Sequence, residues 1–216
     1  DVMLDVLLWA KRCLSSKPSE ILGRLGLTKQ RYLLATVHRS ENTDDLAKLS
    51  EILDAFHSLD EPVVFPVHPR ARQVIERADR PPNSRVKLID PVGYLDMVTL
   101  SEAARLILTD SGGLQKEAYW LGVPCLTLRD ETEWVETVEA GWNTLLGADK
   151  ESIVGAVRSF SPGCPRPALY GDGFAAVNCV NLIGDISSPI TTNAPYAHRI
   201  LSESNHAKRT AQEVKN

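Results

Sequence analysis

The residue types best suited to chemistry are concentrated in Asp110-Ser111-Gly112-Gly113-Leu114-Gln115-Lys116-Glu117, directly after Leu106-Ile107-Leu108-Thr109. The four residues before the run are apolar or β-branched and read as a buried strand, and Leu114 to Leu121 reads as a helix beginning directly after the two glycines. A strand that turns tightly into a helix makes an anion site. The first N–H groups of the helix have no partner within it, and the positive end of its dipole faces outward. Gly112 and Gly113 let the backbone approach a phosphate closely. Ser111 can cap the helix or donate its hydroxyl, and Glu117 can accept hydrogen bonds from a sugar diol. A nucleotide diphosphate suits this combination, although a Ser-Gly-Gly turn taken alone can also be no more than a tight connection.

Three further polar clusters follow apolar runs. His38-Arg39-Ser40-Glu41-Asn42 comes directly after Tyr32 to Val37, His68-Pro69-Arg70 after Val63 to Val67, and Arg129 to Glu136 after Cys125 to Leu128. In open α/β sheets ligands bind beyond the carboxyl ends of the strands, where these loops belong. His38 could carry a proton or hydrogen-bond a phosphate, Arg39 could neutralise one, and Glu41 could orient either; a local salt-bridged turn is the simpler alternative. Two histidines without a third ligand do not make a metal site, and none is expected. Asp110 to Gly113 also resembles the turn around the nucleophilic serine of trypsin-like proteases. Those enzymes are all-β and carry a His/Asp arrangement that this chain lacks.

The elements that must position these clusters alternate in type. Strands are expected at Tyr32 to Val37, Val63 to Val67, Val86 to Ile89, Leu106 to Thr109, Cys125 to Leu128 and Asn143 to Leu146. Pro66 argues for an edge or irregular place for the second. Between them come a helix capped by Asp44 or Asp45 with Leu46, Leu49, Ile52, Leu53 and Phe56 on its apolar face, a short helix from about Ala71 to Arg77 and another from Tyr94 to Ala104. Ser152 to Arg158 and a last stretch with Phe174, Val177, Val180 and Ile183 are also helical. The pattern is that of an α/β, doubly wound, mainly parallel sheet. At the start, Val2, Val6, Leu7, Ala10 and Leu14 predict an uncapped helix from Asp1 to about Ser16, an odd beginning that suggests a chain cut from something longer. The division expected is a helix and connector over 1–30, a domain over 31–184 and a mobile tail over 185–216, where Ser, Thr, Asn, Pro and charged residues replace the apolar period.

Composition narrows the partners. With 216 residues, 43% of them hydrophobic, the chain can bury a real core, and a net charge of −4 gives no bulk attraction to nucleic acid or an acidic membrane surface. No apolar run approaches a membrane span, no signal pattern opens the chain, and Cys13, Cys125, Cys164 and Cys179 have no metal or redox spacing. A cytoplasmic protein with free thiols is expected.

Four motifs in register carry a resemblance. Val37 to Asn42, then Pro66-Val67-His68-Pro69, then Thr109 to Glu117 and Leu128 to Glu133 resemble, in order and spacing, the non-hydrolysing UDP-N-acetylglucosamine 2-epimerases. The likeness runs from Val2 to about Ile183. It implies the C-terminal Rossmann-like half of a GT-B fold, with a missing N-terminal domain completing the cleft. It further implies a UDP-sugar substrate, no cofactor and a homodimer. The family removes UDP to give a 2-acetamidoglucal and adds it back after the C2 proton returns on the other face. By resemblance His38 contacts the substrate and helps UDP to leave, Ser111, Gly112 and Gly113 hold the phosphates, and Glu117 binds the ribose. Arg39, Val92, Met97 and Trp134 complete the substrate-binding set.

Two departures bear on the substrate. Met97 stands where relatives have a phenylalanine that stacks on uracil, and Glu133-Trp134-Val135-Glu136 stands where many have Glu-Arg-Pro-Glu. The Trp134 form resembles the branch acting on UDP-2,3-diacetamido-2,3-dideoxy-glucuronate. Some relatives bind a second UDP-GlcNAc near the His68 loop, where Pro69-Arg70 here breaks the usual run. A non-catalytic nucleotide-sugar-binding module and a GT-B glycosyltransferase are the alternatives; the His38 to Asn42 loop gives the latter no support.

Overall fold

The computed structural model describes residues 1–67, 72, 75 and 85–183. Its strands are β1 (Leu33–Thr36), β2 (Val63–Pro66), β3 (Val86–Ile89), β4 (Leu106–Thr109), β5 (Cys125–Thr127) and β6 (Asn143–Leu145). They form one sheet in the order β3-β2-β1-β4-β5-β6, and every neighbouring pair is parallel. This is the doubly wound order in which direction reverses between β1 and β4, the switch point that opens a crevice at the strands' carboxyl ends. The expected strands all form, each within about two residues of its predicted ends.

Strand sequence explains the layering. Successive residues point to opposite faces, so a parallel sheet covered on both sides must be apolar at every position. Leu33, Ala35, Val63, Phe65, Leu106 and Leu108 pack on one face against α4 (Leu46–Ser58) and α8 (Lys150–Ser159). Leu34, Val64, Ile107 and Cys125 pack on the other, against α2 (Ile21–Leu25), α5 (Tyr94–Ala103) and α6 (Gly112–Leu121). The remaining helices are α1 (Val2–Ser16), α3 (Ser40–Thr43), α7 (Val135–Glu139) and α9 (Ala175–Ile183). Asp1 to Ala176 form one compact unit; a second begins at Val177, and its described residues, 177–183, are helical.

Several local expectations are corrected. The first helix is capped: the Asp1 carboxylate accepts from Met3 N at 2.8 Å. Its buried stripe is Leu4, Leu7 and Ala10, packed towards Val98 and Trp120, while Val2 and Val6 are exposed. The stripe is rotated because neighbouring helices α5 and α6, not hydropathy alone, decide which face is covered. Asp45 rather than Asp44 caps α4, and Leu46, at its first position, is 65% exposed. The connector expected within 1–30 contains α2, which Gly26 ends with φ 64°. Pro66 lies in an interior strand, since the β1–β2 register runs Leu33↔Val63 and Leu34↔Val64 and the proline falls beyond it. It pairs with Ile89 of β3, and its missing N–H falls on the β1 side, where the register stops at Leu34↔Val64. The helix expected over 71–77, the His68-Pro69-Arg70 cluster with its second UDP-GlcNAc site, and the tail over 185–216 lie outside the described residues, apart from Arg72 and Ile75.

Phe56 is wholly buried and meets Phe65 edge-on, with ring centroids 5.9 Å apart. Phe56→Ala is expected to lower unfolding stability by about 3–5 kcal/mol, whereas Leu46→Ala should stay within about 0.5 kcal/mol; urea denaturation followed by circular dichroism checks both.

Candidate functional site

Three strand ends meet at the switch point, and one carboxylate ties them together. Asp110, directly after β4, is wholly buried. It accepts from the backbone of His38, bifurcated at 3.2 and 3.1 Å, and from Arg39 N at 3.0 Å, both in the loop after β1. Asn42 Nδ2 donates to it at 3.1 Å and also to the carbonyl of Leu128, beyond β5, at 3.0 Å. A buried charge is tolerated when its lone pairs are satisfied in this way. Below it the Thr36 and Thr109 hydroxyls meet at 2.6 Å, joining β1 to β4. His38 Nδ1 lies 3.4 Å from Asp110 Oδ1.

The glycine turn builds the helix start. Ser111 is the N-cap of α6, its hydroxyl facing Leu114 N at 3.5 Å. The helix begins at Gly112, two residues earlier than its sequence pattern suggests, so both glycines sit in its first turn. Their N–H groups are among those that an α-helix leaves without an internal partner. Neither position has room to spare: a Cβ on Gly112 would lie 3.0 Å from Trp134 Nε1 and 3.4 Å from Glu133 Oε2, and one on Gly113 would lie 3.2 Å from Met3 Cε.

At the carboxyl ends of β1 and β2 is a cleft of about 180 Å³ lined by Thr36, Val37, His38, Pro66, Pro91, Val92 and Met97; Ser111, Gly112, Gly113 and Glu117 are not among its lining residues. The sequence-predicted His38, Val92 and Met97 therefore share one surface. Glu117 reaches the same region from α6: Tyr94, one helical turn before Met97 on α5, donates to Glu117 Oε1 at 2.9 Å. Glu117 is buried, and burial raises its carboxyl above the usual range, against the opposing effects of Tyr94 and Lys116.

Trp134 does not line the cleft. Its indole abuts Gly112, and its Nε1 is buried without a hydrogen-bond partner. The ring carries Lys116 Nζ 3.8 Å from its centre, and Lys116, 4% exposed, also pairs with Asp1 at 2.6 Å. Burial lowers the lysine's pKa and neighbouring Glu117 opposes that. The loop leading to Trp134 is held by Arg129, which grips both oxygens of Glu133 at 3.0 Å. Those bonds bring the Glu133 carboxyl down to about 2, so the stabilisation is complete above its ordinary value near 4.5 and is lost as pH falls towards 2. Gln115 Oε1 accepts from Thr132 and Asn143 beneath the loop. Arg39 contributes its backbone to the hub, and its side chain acts electrostatically on Glu133.

Asp110, Asn42, Gln115 and Lys116 lie within the motifs quoted from sequence but received no role there, and Tyr94 was placed only at the start of a helix. Asp110 left a signal, an acidic residue between a strand and a glycine turn; Tyr94 left a weaker one, three residues before Met97. Among the described residues no group of three or more His, Cys, Asp or Glu side chains could hold a metal, and no helix is long and apolar enough to cross a membrane.

Comparison with known proteins decides the family. The model describing UDP-N-acetylglucosamine 2-epimerase matches residues 1–184. The chain belongs to the UDP-N-acetylglucosamine 2-epimerase family. An epimerase homolog of Methanococcus maripaludis is 46% identical over 191 residues, covering 86% of this chain and 54% of the relative. The UDP-2,3-diacetamido-2,3-dideoxy-D-glucuronate 2-epimerase of Pseudomonas aeruginosa is 47% identical over 183 residues, covering 82% and 49%. The crystal structure of the Methanocaldococcus jannaschii UDP-GlcNAc 2-epimerase in complex with UDP-GlcNAc and UDP superposes with TM-score 0.75 at 34% identity, over 85% of this chain and 53% of that one. The chain thus spans about half the length of the epimerase relatives it matches, and its fold is the corresponding Rossmann-like half.

The contact between Gly112 and Trp134 gives a direct test of the turn. Gly112→Ala should displace the indole and cost about 1–3 kcal/mol, with a shift in tryptophan emission. Gly155→Ala, inside α8 with nothing within 4 Å of the added carbon, should instead stabilise by about 0.5–1 kcal/mol.

Proposed function

We propose that this chain is the UDP-binding half of a UDP-N-acetylglucosamine 2-epimerase, which interconverts UDP-GlcNAc and UDP-ManNAc together with an N-terminal half. The observation that supports the reading is that His38, Val92 and Met97 line one cleft at the carboxyl ends of β1 and β2, while Asp110, which holds the His38 backbone, leads directly into the Ser111-Gly112-Gly113 helix start. The N–H groups of Gly112 and Gly113 and the Ser111 hydroxyl hold the diphosphate. Val92 and Met97 pack against the uracil, and Glu117 accepts from the ribose diol through the oxygen that Tyr94 leaves free. Arg39 adds positive charge beside the phosphates.

The reaction asks little of this half beyond holding and releasing UDP. The C2 proton leaves, the bond between C1 and the phosphate oxygen breaks, and a 2-acetamidoglucal remains with UDP. His38 protonates or hydrogen-bonds the departing phosphate, lowering the cost of its charge. UDP then adds back once C2 is protonated on the other face. The family's acidic groups for the C2 protons belong to the N-terminal half, so this chain by itself should not turn over. A homodimer of the whole protein is proposed on family resemblance.

A second reading concerns the sugar. The presence of Trp134 in place of an arginine, together with the 47% identity to the Pseudomonas aeruginosa relative, supports UDP-2,3-diacetamido-2,3-dideoxy-glucuronate as the substrate.

Calorimetric titration with UDP tests the nucleotide site. Ser111→Ala and Glu117→Ala should each weaken binding by about tenfold, the loss of one hydrogen bond to a charged group. Binding that neither change affects would refute the assignment. Epimerisation followed by NMR should be absent for this chain and restored with the N-terminal half; turnover by the chain alone would refute the division of labour.

A further inference from the structure

The Asp110 carboxylate does more than join strand ends. Its oxygens are pinned by three separate donors, His38 N, Arg39 N and Asn42 Nδ2, at 3.0 to 3.2 Å, and Asn42 is itself anchored on the Leu128 carbonyl. The group is wholly buried, so it cannot turn to follow a neighbour. One ring nitrogen of His38, Nδ1, faces it at 3.4 Å. A carboxylate only accepts hydrogen bonds. A bare Nδ1 would set lone pair against lone pair at that distance, whereas a protonated Nδ1 meets an acceptor.

We propose that Asp110 is a positioning residue that keeps the neutral His38 ring in the tautomer with its proton on Nδ1. The lone pair is then on Nε2, the nitrogen on the side of the ring away from Asp110. The His38 side chain is 47% exposed and lines the cleft, so that lone pair is open to a ligand. In this state Nε2 is the atom that takes a proton from solvent and delivers it to the departing phosphate oxygen, while Nδ1 keeps its own proton throughout. Asn42 belongs to the device, because it holds the carboxylate oxygen that also receives Arg39 N.

The proposal rests on His38 acting in the cleft, but its test does not. The 216-residue chain, ¹⁵N-labelled at histidine, is examined by long-range ¹H–¹⁵N correlation above the titration range of imidazole, with His38 assigned by the signal lost in His38→Gln. The expected pattern is a protonated Nδ1 and an unprotonated Nε2, the reverse of the preference of a free histidine side chain. Asp110→Asn, which exchanges an acceptor for a donor, should reverse it. If that variant fails to fold, the native spectrum decides alone. A native His38 with its proton on Nε2 overturns the proposal. In the two-half enzyme, Asp110→Asn should lower kcat by about 10²-fold while KM changes less than about threefold, and Asp110→Glu should recover part of the loss. If His38→Gln leaves turnover unchanged, the role given to His38 fails, while the tautomer assignment still stands on the spectrum.

Discussion

The buried Asp110 carboxylate is the constraint on which the site's arrangement depends. An anion inside a protein survives only when its lone pairs are met, and here the donors come from segments that are far apart in sequence. The loop after β1 must fold back to bring the amides of His38 and Arg39 to it. The single turn of α3 must present Asn42, and Asn42 must reach Leu128 beyond β5. Moving any of these segments would leave a charge unpartnered in the interior. Exposed polar loops are thereby held in one geometry without a metal or a disulfide among the described residues.

The helix start of α6 depends on the same point, because Ser111 follows Asp110 directly. Carboxylate, cap and glycines form a continuous stretch in which the buried charge fixes the backbone that the two N–H groups then extend towards the cleft. The positive end of a ten-residue helix and the negative carboxylate stand side by side. An anionic ligand meets the dipole and the amides, while the carboxylate is already engaged by its own donors.

Much of the fold was legible in the sequence because parallel strands must be apolar on both faces. Each of the runs at Leu33, Val63, Leu106 and Cys125 is short, continuous and bounded by polar residues. The lengths of the intervening helices leave little choice of winding. What sequence did not reveal depends on neighbours distant in the chain. Periodicity marks Val2 and Val6 as readily as Leu4, and only the position of Val98 and Trp120 decides which stripe is covered. Pro66 suggests an edge until the short β1–β2 register is known. At the site, the spacing of Ser111, the glycines and Glu117 announced a phosphate and a diol. The partnerships of Asp110 with Asn42 and of Glu117 with Tyr94 cross 68 and 23 residues respectively, and no local pattern encodes them.

The stacking of Lys116 on Trp134 couples a loop to the helix beside it in this chain. Lys116 is buried, and one of its faces is spent on the indole while its charge is answered by Asp1. An arginine at position 134 would bring a second cation against the first in a poorly solvated place. A lysine at 116 without the indole would lose the surface that shelters it. The two positions are therefore coupled in this chain: a change at either one alone removes part of what the other's burial depends on. The pair ties the identity of a loop residue to that of a residue inside the neighbouring helix.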